Sequence, residues 1–93
     1  MAGARSGQIT VTTAGTAVQG TDVDMDGVYL SGIDGNTGLV YVGHDGAGDV
    51  TAANGYELSA TKQIFLSVTN LKELWFDAAT SGDKVAWIEV GRL

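Results

Sequence analysis

The most obvious chemistry lies in "GTDVDMDGVYLSG", residues 20–32, where Asp22, Asp24 and Asp26 precede Gly27. Carboxylates at alternate positions with glycine at the sixth match the opening of an EF-hand calcium loop, which also needs a ligand at position 9 and a bidentate Glu at position 12. Those two places hold Leu30 and Ile33. No amphipathic helix flanks the segment. The same letters alternate Val23 and Met25 with carboxylates, the period of a half-buried strand. That reading needs fewer assumptions: the apolar pair turns inward, and the aspartates stay in water and discourage unwanted edge pairing. Packing is the expectation, and no metal site is predicted.

The other candidates are weaker. "GHDGAGD", residues 43–49, is glycine-rich, but it lacks the Gly-Lys-Ser/Thr of a phosphate loop and carries two aspartates that repel phosphate. His44 is the single histidine, and Ser59, Ser67 and Ser81 have no further partner from which to build a triad. Asp77 and Asp83 flank a turn, while Glu73 and Glu89 fall within expected strands. A glycosidase holds two carboxylates across a cleft, and this spacing forms none. With no cysteine, disulfides, thiolate metal sites and cysteine nucleophiles are excluded. The expectation is a chain without catalytic residues or cofactor.

Ninety-three residues make one domain. A chain of this size hides only about 60–65% of the surface it exposes unfolded. Without disulfides, self-association is the remaining common staple. The formal charge is −6, and Arg5, Lys62, Lys72, Lys84 and Arg92 are scattered. Nucleic acid wants clustered cations, so it is not an expected partner. Nor is a membrane, since no apolar run approaches the ~20 residues of a spanning helix. "MAGARSGQ" lacks the hydrophobic segment of a secretory signal, which points to synthesis in the cytoplasm.

Fourteen glycines and no proline, with apolar residues mostly two apart, predict strands. Residues 1–7 read as a flexible N-terminal arm and 8–93 as the single domain. Strands are expected over 8–13, 16–19, 28–33, 39–43, 56–58, 63–68, 72–78 and 84–90, with a helical turn as the alternative in "LSATKQIF". "TN" and "ATSGD" read as hairpin connections. The fold class is all-β: a small antiparallel sandwich or barrel, jelly-roll-like, of about seven to eight short strands.

Parity within these strands turns Val28, Leu30, Val40, Val42, Ile64, Leu66, Val68, Leu74, Phe76, Ala86, Ile88 and Val90 inward. It leaves Tyr29, Tyr41, Phe65, Trp75 and Trp87 on the outer face. A half-buried sheet is ordinarily polar there. Some of these rings cover barrel ends or face the second sheet, or else they pack against another chain, where aromatics are enriched. These five are the interface candidates.

Three stretches occur in a telling order: "GQITVTTAGTAVQ", "GNTGLVYVGHDGAGDVTAANGYELSA" and "IFLSVTNLKELWFDAATSGDKVAWI". From about Gly7 to Val90 the pattern resembles small virion structural proteins of tailed bacteriophages. Those often carry a neutral or mildly basic segment where this chain has "DVDMDG". The resemblance implies a β-sandwich of the head decoration or cement type, or a head fibre, neck or tail component, made in the host cytoplasm and located in the virion. It implies the major capsid protein and other virion proteins as partners, a homo-oligomer with a trimer favoured, and no cofactor. The N-terminal arm would order on docking. Two readings of other classes stay beside it: a carbohydrate-binding module stacking sugars on Trp75 and Trp87, and a calcium-stabilised adhesin-like domain.

Overall fold

Strands form where β-branched and aromatic residues alternate with polar ones, and glycine-rich clusters end them. The computed structural model describes residues 5–44, 50 and 54–90. In chain order the strands are β1 (Ser6–Thr10), β2 (Val18–Gln19), β3 (Val28–Gly32), β4 (Val40–Gly43), β5 (Tyr56–Leu58), β6 (Gln63–Leu66), β7 (Trp75–Ala78) and β8 (Lys84–Glu89). They make two four-stranded antiparallel sheets, ordered β1-β8-β3-β6 and β2-β7-β4-β5. That order is a jelly roll: β1 pairs with β8, β2 with β7, β3 with β6 and β4 with β5.

The pairs nest like one long hairpin folded over on itself. Ser6 faces Ile88, Val18 faces Phe76 and Val28 faces Leu66. Each advance along the outgoing arm is matched by an equal retreat along the returning arm, so three successive pairs keep one register. The inward set then meets between the sheets. Val28, Leu30, Val40, Leu58, Leu71, Phe76 and Val85 are fully buried there, with Met25 and Val11 closing the ends.

Three expectations change. "TN" and "ATSGD" do not make hairpins, because β6, β7 and β8 alternate between sheets. Turn residues reverse the chain, but they do not determine whether the next strand returns to the same sheet. The strand expected over 72–78 is split by a 3-10 turn at Leu71–Glu73, and only Trp75–Ala78 pairs. Ser6 and Gly7, expected in the arm, pair with Ile88 and Trp87. Arg5, also expected in the arm, is fixed by contacts to Glu89 and the Asp24 carbonyl, while 1–4 lie outside the described residues, as do 45–49 of the glycine-rich loop.

Candidate functional site

Asn70 organises the acidic segment. Asn70 caps the 3-10 turn with its side-chain oxygen, which accepts from the Lys72 N–H at 2.9 Å and the Val23 N–H at 3.1 Å. Its amide nitrogen donates to Asp22 Oδ1 at 2.8 Å and Asp24 Oδ1 at 3.0 Å. Glu73 completes a capping box by accepting from the Asn70 N–H at 2.8 Å and the Thr69 hydroxyl at 2.6 Å. The Thr69 hydroxyl, followed by the Asn70 and Thr69 N–H groups, holds the Glu73 carboxyl below its ordinary pKa against the opposing effect of desolvation. Met25 is buried and Val23 packs on the core, while all three aspartates are exposed. The expected inward and outward alternation is present, but the segment is not a strand: Asp24 makes one isolated bridge with Asn70, and β3 begins only at Val28.

The remaining carboxylates also brace the fold. Asp83 is buried and clamps the β3–β4 connection by accepting from the Thr37 and Gly38 N–H groups at 2.9 and 2.8 Å. Beside it the Asn36 side chain both donates to and accepts from the Lys84 backbone, taking the place of a missing strand neighbour. Asp77 accepts from the N–H of Gly15, whose φ of 88° suits a turn that only glycine adopts cheaply. Glu89 points inward with no exposed side-chain surface and is neutralised by a two-pronged contact from Arg5, whose guanidinium also reaches the Asp24 carbonyl. Hydrogen bonding to Glu89 raises the Arg5 pKa further above its ordinary value.

His44 sits exposed at the end of β4 with Nδ1 3.3 Å from the Glu73 carbonyl oxygen. Ser81 Oγ accepts from the Ala14 N–H, and Ser59 Oγ meets the Thr61 hydroxyl. Among the described residues, no group of three or more His, Asp or Glu is gathered as a metal site requires. No helix among them is long and apolar enough to cross a membrane.

Besides the separately exposed Leu39 and Tyr56, one sheet face gathers several open apolar side chains. Cross-strand register places Ile88 beside Tyr29 and Tyr29 beside Phe65, on the outer side of β1-β8-β3-β6. These side chains are 43%, 46% and 47% exposed. The Tyr29 and Phe65 rings lie 5.1 Å apart at a tilt of 52°. Phe65 folds over Gly27, where a Cβ would come within 2.7 Å of the ring. A shallow hollow of about 160 Å³ adjoins this ridge, bordered by Tyr29, Ser31, Gln63, Ala86 and Ile88 among others.

Two of the five expected interface aromatics belong on this face, and three do not. Trp87 is buried: β8 is turned over relative to its expected parity, with Val85, Trp87 and Glu89 inward and Ala86 and Ile88 outward. Gly7, directly opposite, makes the room, since a Cβ there would stand 3.0 Å from the indole. Tyr41 keeps its outward parity but is buried at 5% exposure, with Asp77 and Glu57 as its cross-strand neighbours. Trp75 is half-buried on β7, facing Gln19 and Gly43 in the other sheet. Ile88, expected inward, is instead exposed on this face.

No family, curated protein or solved structure matches this chain. The open apolar ridge is thus read on its own chemistry. It offers apolar surface for contact.

Proposed function

We propose that this chain is a non-enzymatic structural protein of a tailed-phage virion, most specifically a head decoration or cement protein that binds the shell as an oligomer. One observation carries the reading: a continuous apolar row, Ile88–Tyr29–Phe65, remains in water on a domain too small to waste it. Patches of this kind mark contact with another chain. The ordered phrases that resemble phage virion proteins support it. Within them Asn36, Asp83, Asn70 and Glu73 lock loops to strands, which favours a rigid tile. Jelly rolls also serve viral capsids and lectins, an analogy at the level of fold only.

The main partner is the major capsid protein, and the gain is added contact area resisting internal DNA pressure. A neck, tail or fibre component is the nearest rival. The carbohydrate-binding reading loses its paired platform, because the Trp87 indole is enclosed. Purified chain mixed with heads assembled without it should saturate the whole shell in electron micrographs. Label confined to one vertex or the tail would favour the rival, and no binding to any virion part would refute the proposal.

A further inference from the structure

We propose that the outer face of the β1-β8-β3-β6 sheet is a self-contact, closed by a second copy of this chain across a two-fold axis. The chemistry of the face selects the occupant. The chain carries a net −6, and Asp22, Asp24, Asp26, Asp34 and Glu57 are exposed. None of them is on this face. Its outward side chains run in three cross-strand rows: Ser6–Ile88–Tyr29–Phe65, Gln8–Ala86–Ser31–Gln63 and Thr10–Lys84. Lys84, at one end, is the single charge among them. A surface built for a charged partner would carry the complement of that partner's charge. A surface that meets its own image must avoid like charge, and an otherwise acidic molecule has kept acid off this one sheet face.

The relief fits the same occupant. The first row is high, with two rings and an isoleucine, while the second is low over Ser31 and Ala86, where the hollow lies. A two-fold axis in the plane of the face, running between the rows, sets the high row of each copy over the low row of the other. That is the self-complementarity of an isologous interface. It lays the strands of the two copies antiparallel and nearly aligned, as sheets stack when packed about 10 Å apart. Two copies satisfy this geometry, in place of the threefold ring that the phage resemblance favours. The inference shares this ridge with the virion reading but does not rest on it: a dimer of the free chain leaves the shell contact to another surface.

The test is sedimentation equilibrium of the full chain without any shell present, across micromolar to high-micromolar concentrations. The expected particle has twice the chain mass of 9.6 kDa. Ile88→Lys should raise the dimer dissociation constant about tenfold or more, since it removes a buried aliphatic contact and sets two charges in the seam. Ala86→Arg, which fills the hollow from an outward position, should do the same. Both variants should keep the far-UV circular dichroism spectrum of the parent. A wild type at single-chain mass throughout, a particle of three chains, or a dimer that both variants leave intact would overturn the proposal. Head binding does not enter the readout, so its failure leaves this result separate.

Discussion

At the scale of single residues, the polar side chains with the most chemical promise are those most occupied with holding the chain. Asn70 satisfies four partners from a position 8% exposed. Asn70→Ala removes a cap and orphans the Val23 and Lys72 N–H groups, so it should cost about 1–2 kcal/mol in urea denaturation. Glu73 gives a pH signature. Its folded pKa lies below the ordinary value, so its stabilisation is complete above the ordinary carboxylate range and is lost as pH falls through the folded value. Glu73→Gln should flatten the acid limb of a stability–pH profile in that window and leave the neutral limb parallel to wild type. Lys72 and Glu73 were expected in a strand, although Asn70-Leu71-Lys72-Glu73 has the spacing of a capping box, the signal that marks the turn. The link from Asn70 back to Asp22 and Asp24 was not readable, since nothing local marks a partner nearly fifty positions away.

At the scale of elements, β8 decides what the molecule shows to others. "KVAWIEV" is apolar on both parities, so the period of two fixes a strand without fixing its inner face. A lone carboxylate such as Glu89 favours the parity that places it in water. The fold chooses the opposite one because Arg5, at the start of β1, neutralises the buried carboxylate, and Gly7 leaves space for the indole. Both determinants lie at the far end of the sequence. By contrast β3, β4 and β5 were legible almost to the residue, since Val28/Leu30 and Val40/Val42 alternate with residues of different character and turn clusters bound them. The parity of β8 has a direct consequence for stability. Trp87→Ala should destabilise the fold by about 3–5 kcal/mol, while Ile88→Ala should change the stability of the isolated protomer by about 0.5 kcal/mol or less. Chemical denaturation of the two variants at matched dilution compares them. Equal losses, or the reverse order, would mean that β8 presents its other face to the core.

At the scale of the whole molecule, the all-β architecture followed from short alternating segments and glycine-rich turns, whereas the assignment of strands to sheets that makes it a jelly roll did not. That assignment comes from long-range pairing, with the ends of the chain meeting in β1 and β8 and each inner pair nested within. The result is a braced tile. Its loops are tied by Asp83, Asn36, Asp77 and Asn70, and one of its broad faces carries an apolar ridge free of acid. Such a tile suits a part that strengthens a shell by adding contacts. The measurement that tests this most directly is DNA release from filled heads on heating, with and without bound protein. Heads carrying it should hold their DNA to a higher temperature, in proportion to the copies bound. Release at the same temperature from saturated and bare heads would contradict the account.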